Sequence, residues 1–166
     1  HTHIDDFVES IRMLTPAGWW ESRRLPGSGA GPSPDRLVMG SEGTLGIITE
    51  CWLRLQRRPR CRASAGVVVS AWAAGADAAR QIVQAKLWPA NLRLLDPAEA
   101  AQSASLDGTR SLLVIGFESA EVPQGAFMRD AVALARQAGG QMDDDAIRVD
   151  DGSGEATGRG GAVGAW

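Results

Sequence analysis

Several residue types that would point to particular classes of protein are scarce in this sequence. Two cysteines are present, Cys51 and Cys61. They are too few for a disulfide framework, so we expect reduced thiols in a cytosolic protein. Tyrosine is absent although there are six tryptophans. We expect five of these tryptophans to be packing residues, namely Trp19, Trp20, Trp52, Trp72 and Trp88.

The sequence has neither a strong excess of one charge nor a long apolar run. Seventeen basic and twenty acidic residues give a net charge of −3, which excludes a polycationic nucleic-acid-binding chain. The arginines between Arg54 and Arg62 are therefore interpreted as a solvated connector. No apolar run reaches the roughly 18 residues of a transmembrane helix, so we expect no transmembrane segment and a cytoplasmic location. With 166 residues, 44% of them hydrophobic, the chain can form one domain or two small lobes.

Turn residues and hydrophobic patterning predict β structure in the first third of the chain. Residues 4–14 fit either a helix or a strand, and the turn at Thr15-Pro16-Ala17-Gly18 favours a hairpin from about Val8 to Glu21. Residues 25–34 are rich in Gly, Pro and Ser, which predicts a loop. Residues 47–55 are β-branched and then alternating, which predicts a strand.

After a candidate lobe boundary at Arg57-Arg58-Pro59-Arg60, strands and helices alternate. The patterning predicts strands over 66–71, 92–96 and 112–118, and helices over 73–85, 97–101 and 124–138. This order predicts a ferredoxin-like or related α+β layer. After Met142 the chain is rich in Asp and Gly, so we expect an irregular or edge segment there.

The most informative motif is Gly40-Ser41-Glu42-Gly43-Thr44-Leu45-Gly46. Its three glycines allow positive φ angles and a close approach of the backbone to a planar or phosphate-bearing ligand. Successive N–H groups in such a turn can form an anion-binding nest. The spacing matches neither Gly-x-Gly-x-x-Gly nor a P-loop. On spacing alone, the simpler interpretation is a glycine-rich turn that enters a strand.

With the residues that follow it, Gly-Ser-Glu-Gly-Thr-Leu-Gly-Ile-Ile-Thr-Glu, this segment resembles the signature of FAD-linked oxidases of the vanillyl-alcohol-oxidase type. The turn at residues 15–18, the loop at residues 29–35 and the segment Leu92-Arg93-Leu94-Leu95-Asp96 resemble the alkyldihydroxyacetonephosphate synthase branch and its bacterial relatives. The resemblance runs with gaps from about residue 3 to residue 140.

The resemblance implies an α+β fold in two parts. Residues 1–60 are expected to be the β-rich end of a PCMH-type FAD-binding domain. Residues 61–166 are expected to be the first half of a ferredoxin-like α+β cap domain. The family's pyrophosphate loop and its Tyr and His acid/base groups have no counterpart in the sequence, so we expect an internal fragment that is inactive alone.

FAD is the cofactor that the resemblance implies. By the resemblance, one run of residues lines FAD mostly through backbone groups: Glu42, Gly43, Thr44, Leu45, Gly46, Ile47 and Ile48. Arg93 is implied as the catalytic residue of the cleft, where its guanidinium fork anchors an anionic substrate group. A structural ion pair of Arg93 with Asp96 or another carboxylate is an equal alternative.

The resemblance implies a flavin-assisted exchange of acyl for alkyl on dihydroxyacetone phosphate. Two alternatives stay open: an FAD-dependent D-2-hydroxy-acid dehydrogenase, and a non-catalytic α+β interaction domain. The expected partner is a small-molecule or lipid-like substrate and not a nucleic acid; peripheral membrane contact and a homodimer stay open. No metal site is predicted. The residues His1 and His3 beside Asp5-Asp6, and the aspartates from Asp143 to Asp151, are interpreted as solvated.

Overall fold

A computed structural model describes residues 3–24, 31–143, 146–153 and 156–157. The chain divides into two units, residues 1–57 and residues 58–166. The assignment of residues 1–60 and 61–166 to two domains of the family stays a prediction.

The first unit is built on a β-hairpin. A 3-10 helix, Ile4–Asp6, precedes strand β1 (Val8–Thr15), and strand β2 (Gly18–Glu21) pairs with β1 in antiparallel fashion. Thr15 lies opposite Gly18, so a two-residue turn joins the strands. The Thr15 hydroxyl donates to the carbonyl oxygen of Gly18 over 2.8 Å. The predicted hairpin is confirmed, and the ambiguous residues 4–14 contain both a helical turn and most of a strand.

Strand β3 (Ile47–Leu53) pairs antiparallel with the other edge of β1, which gives the order β2-β1-β3 among the described residues. The predicted strand is confirmed, although it ends two residues early. A small core lies on this sheet, formed by Ile11, Met13 and Val38 with partly buried neighbours.

Val38 reaches this core from a short helix, α1 (Pro34–Val38). Helix α1 begins at Pro34 because the fixed φ of proline suits the first helical turn. The sequence predicts a loop over residues 25–34, and this prediction is wrong for Pro34, which lies in the helix. Residues 25–30 lie outside the described residues.

The second unit is an antiparallel sheet with helices packed on it. In chain order its elements are β4 (Cys61–Val69), α2 (Trp72–Gln84), β5 (Asn91–Leu95), α3 (Pro97–Ala104), β6 (Ser111–Ser119), α4 (Gly125–Gln137), β7 (Arg148–Asp150) and β8 (Ala156–Thr157). Among the described residues the strand order is β5-β6-β4-β7-β8, with antiparallel pairing throughout. Without α3 and β8, this is the βαββαβ arrangement of a ferredoxin-like layer, so the predicted topology is confirmed.

Helices α2 and α4 cover one face of this sheet. Their buried residues, Ile82 and Met128 among them, pack against Ala63, Ala65 and Val67 of β4 and against Leu113, Ile115 and Phe117 of β6. Because side chains alternate along a strand, the intervening residues face the opposite side. Helix α3 covers one end of that second face, where Ala100 packs with Leu95, Leu112 and Val114.

In the second unit, the start of β4 and the segment after Met142 differ most from the sequence prediction. Strand β4 begins at Cys61, five residues before the predicted start at Gly66. Its first inward residues, Cys61, Ala63 and Ala65, are small, which weakens the alternating hydrophobic signal. The segment after Met142, predicted to be irregular or an edge, includes the short strand β7, which pairs with β4.

The packing role predicted for the tryptophans holds only in part. Trp19, Trp72 and Trp88 are each more than half exposed, so the prediction is wrong for these three. Trp20 packs against the core of the first unit. Trp52 is half-buried, and the Arg24 guanidinium carbon lies 3.7 Å from its ring centroid, within cation–π range.

None of the helices in the described ranges is both long and apolar enough to span a membrane.

Candidate functional site

The glycine-containing segment that joins α1 to β3 forms a tight turn. The Ser41 amide donates to the carbonyl oxygen of Val38 over 3.1 Å. The carbonyl oxygen of Ser41 then accepts from both the amide of Thr44, at 2.9 Å, and the hydroxyl of Thr44, at 2.6 Å. Glu42, between these residues, has a φ of 50°. A non-glycine residue in this region costs roughly 1–2 kcal/mol, so surrounding contacts hold the turn in place.

Two glycines of this segment differ in what surrounds them. Gly43 has a φ of 84°, and a Cβ atom added there would meet nothing within 4 Å. Gly46 has a φ of 153°, and a Cβ there would lie 2.5 Å from the main-chain oxygen of Leu14. Gly43 therefore leaves open space beside the backbone, whereas Gly46 lets the segment approach β1 closely.

The seven residues predicted to line FAD form one exposed stretch of chain. Glu42 to Leu45, Ile47 and Ile48 are exposed, and Gly46 is half-buried. Leu45, Ile47 and Ile48 are 40%, 67% and 45% exposed, which is unusual for three apolar residues so close together. A surface with open main-chain groups and exposed aliphatic side chains fits a planar ligand with polar edges. These residues are compatible with FAD, and their contact with it stays a prediction.

Arg93 lies on β5, on the sheet face away from α2 and α4. Its neighbours Leu92 and Leu94 pack into the core beneath those helices, so alternation places Arg93 on the opposite face. The side chain is half exposed, and its Nη2 atom forms an ion pair with Oε1 of Glu99 on α3.

This ion pair matches the structural alternative considered for Arg93, but with a different partner from Asp96. The Asp96 carboxylate instead caps α3, where Oδ1 accepts from the Glu99 amide over 2.8 Å. Helix α3 therefore begins with its cap immediately after β5, which brings Glu99 beside Arg93.

Among the other candidate residues, His3 has a structural role. The His3 ring accepts from the Asp5 amide at the start of the 3-10 helix, over 3.4 Å; His1 lies outside the described residues. Cys51 is exposed and Cys61 is buried, and both are free thiols. Of the acidic segment, residues 144–145 lie outside the described residues. Hydrogen bonds from the side chain and the amide of Ser153 lower the pKa of Asp151 below its ordinary value.

Residues 58–155 match the family model for the C-terminal domain of FAD linked oxidases, which is more than half of the chain. The chain belongs to this FAD-linked oxidase family. Membership confirms the recognition made from the sequence and the prediction of FAD as the cofactor. The matched residues include Arg93, whereas Glu42 to Ile48 precede the match.

Known relatives of this chain include alkyldihydroxyacetonephosphate synthase from Dictyostelium discoideum. That enzyme is 36% identical over 100 residues, which are 60% of this chain and 16% of the relative. The mitochondrial cytochrome D-lactate dehydrogenase of Arabidopsis thaliana is 46% identical over 57 residues, 33% of this chain and 10% of the relative.

A solved structure of alkyldihydroxyacetonephosphate synthase, in space group P1, has a TM-score of 0.61 at 27% identity. The match covers 83% of this chain and 30% of that structure. It confirms the predicted α+β fold class. The chain therefore spans less than a third of the length of the relatives it matches.

Proposed function

We propose that this chain forms part of an FAD-dependent enzyme that replaces the acyl group of an acyl-dihydroxyacetone phosphate with an alkyl group. The similarity to alkyldihydroxyacetonephosphate synthase carries the proposal, because it extends over 100 residues in sequence and 83% of the chain in fold. FAD supplies the reactive isoalloxazine ring, and the protein's contribution is to place the substrate against it.

Within this proposal, Glu42 to Ile48 contact FAD mainly through their main chain. The open space beside Gly43 supports this assignment, because a ligand can approach the backbone there without meeting a side chain. The exposed Leu45, Ile47 and Ile48 supply the apolar surface that a ring system covers.

Arg93 anchors the anionic group of the substrate. A guanidinium carries five N–H donors in a fixed fork, so an ion pair with Glu99 on one side is compatible with recognition of a second anion. Glu99 also fixes the orientation of the side chain, which lowers the entropy lost when substrate binds.

Replacement of this arginine tests its role in the intact protein. We expect Arg93→Ala to lower kcat/KM for an acyl-dihydroxyacetone phosphate about 10- to 100-fold, the effect of one lost charge-assisted hydrogen bond. The FAD content should not change. Arg80→Ala is a matched control, because Arg80 is also half exposed and paired with a carboxylate, Asp77 on α2. Full activity of Arg93→Ala would rule out the anchoring role.

A second candidate is oxidation of a D-2-hydroxy acid, which the 46% identity to D-lactate dehydrogenase over 57 residues favours. The visible spectrum of the intact, anaerobic protein distinguishes the two candidates. Loss of flavin absorbance on addition of a D-2-hydroxy acid would establish the dehydrogenase. A response to the phosphate ester alone would support the synthase. A protein that purifies without flavin would support a non-catalytic interaction domain.

We also propose that the protein is cytoplasmic. Because the substrate in this proposal is lipid-like, we further propose that the protein contacts membranes at their surface. Cell fractionation and co-sedimentation with vesicles test these two points. A homodimer stays a prediction, which sedimentation velocity of the intact protein checks.

A further inference from the structure

A groove lined by arginines lies on the sheet face that carries Arg93, at the end away from α3. We call it the arginine groove and define it by Arg58, Arg60, Arg62, Ser64, Asn91 and Arg148. It consists of two cavities of about 360 Å³ and 320 Å³, which share Arg62 and Asp150 in their walls. Each is as large as the smaller known ligand sites.

Strand register brings these residues together from distant parts of the sequence. Arg62 on β4 lies opposite Glu118 of β6 on one side and Asp150 of β7 on the other. In the next row, Ser64 lies between Gly116 and Arg148, and Gly116 in turn pairs with Asn91 of β5. A solvated connector accounts for Arg58, Arg60 and Arg62, which are close in sequence, but it does not account for Arg148 in the same cavity.

Positive charge is in excess in the groove. Four arginines and two acidic residues, Glu118 and Asp150, line it, and the Arg60 Nε atom donates to the carbonyl oxygen of Ala120 over 3.4 Å. The Arg62 Nε atom lies 3.5 Å from Oε1 of Glu118. The Asp150 carboxylate accepts a hydrogen bond from the Gly152 amide over 2.9 Å. The excess is opposite in sign to the net charge of −3 on the whole chain, so the groove attracts anions locally.

A glycine and two polar residues line the middle of the groove. Gly116 contributes no side chain, and a Cβ atom there would lie 3.3 Å from the Cβ of Asn91. Ser64 and Asn91 line the same cavity on either side of it. Their hydroxyl and amide groups can bond an uncharged hydroxyl or carbonyl next to an anion.

We propose that the arginine groove binds a phosphomonoester. The planar guanidinium of arginine binds two oxygens of a phosphate at once. Ser64 and Asn91 hydrogen-bond the polar alcohol part of the ester. Arg93 is not one of the residues that line the groove; it lies two residues along β5 from Asn91, roughly 6–7 Å away on the same face. The proposal goes beyond the function proposed above, because it concerns binding and requires no flavin chemistry.

Calorimetric titration of the intact protein with glycerol 3-phosphate tests the proposal, with glycerol as the uncharged control. We expect Arg148→Ala to weaken binding about tenfold or more, and Arg148→Lys to retain part of the affinity because its charge remains without the fork. Affinity should fall with added salt. Arg62→Gln is the second groove variant, and Arg80→Ala on α2 is the matched control. The thermal midpoint of each variant reports whether it is folded.

Separate experiments distinguish the source of the phosphate and the site that holds it. Sedimentation with vesicles of phosphatidic acid in phosphatidylcholine identifies a lipid headgroup, whereas titration with glycerol 3-phosphate identifies a free phosphomonoester; either result supports the proposal if Arg148→Ala reduces it. Absence of binding in both assays would overturn it. The proposal would also be overturned if Arg93→Ala abolished binding while the folded groove variants still bound the phosphate. That result would not affect the role of Arg93 in turnover.

Discussion

Replacement of Gly46 by alanine is the sharpest test of how the glycine segment is held against β1. The new Cβ would lie 2.5 Å from the main-chain oxygen of Leu14 and 3.1 Å from the Cγ of Met13. Even close carbon–oxygen contacts are about 3.3 Å, so β1 and the segment must separate by nearly 1 Å. Overpacking of this kind costs about 1–3 kcal/mol, and the positive φ adds about 1–3 kcal/mol. We therefore expect Gly46→Ala to lower the free energy of unfolding by roughly 3 kcal/mol or more.

Gly43→Ala is the matched control, because it has the positive φ without the close contact. Its free energy of unfolding should fall by only about 1–2 kcal/mol. Urea unfolding of the intact protein gives both values from the shift in midpoint at constant slope. We also expect Gly46→Ala to lower the FAD content, since the FAD-contacting residues proposed here are displaced with the segment. Equal losses for the two variants would refute the reasoning.

Two further predictions concern the second unit. Asp96→Ala should lower the free energy of unfolding by about 1 kcal/mol, because the cap of α3 is lost. Asp96→Asn should keep most of the wild-type stability, because asparagine also caps helices. Chemical denaturation measures both variants. Hydrogen bonds from Arg80 and Gln81 lower the pKa of Asp77 below its ordinary value of 3.8. The folded-state pKa is thus below the unfolded one, so the stabilisation is present above about pH 4 and is lost as pH falls through the folded pKa. Asp77→Asn should therefore be less stable than the wild type at pH 6, and the difference should shrink as the pH falls below about 4. A difference that does not change with pH would contradict this.

The sequence predicted the elements that carry strong periodic signals. Helices α2 and α4 place apolar residues on one face, and β6 is a nearly continuous apolar run, so their type and position follow from pattern alone. The early part of β4 was missed because its inward residues are small. Strand β7 has three residues, which is too few for any periodicity to show.

The candidate site was predictable only where its residues are consecutive. Glu42 to Ile48 form one run that a motif can identify. The arginine groove combines residues of three separate segments, and their meeting depends on strand register, which the sequence does not specify locally. The partner of Arg93 was likewise uncertain from the sequence, because Asp96 and Glu99 are both near it and only the start of α3 assigns one of them to the cap.

The central place of β4 has a consequence for the order in which the second unit is made. Strand β4 is its first strand in the chain, yet both neighbours come later, β6 ending about fifty residues after it and β7 later still. At 5–20 residues per second, synthesis leaves β4 without a partner for roughly 3–10 s. Residues 63–69 of this strand are uncharged, and an unpaired strand segment of this length and low charge is prone to aggregate. Arg60, just before the strand, and Arg62, within it, carry charges at its other end, and charges next to an apolar strand oppose such aggregation. Arg60 and Arg62 are therefore in place beside the unpaired strand before Arg148 is made and the groove is complete.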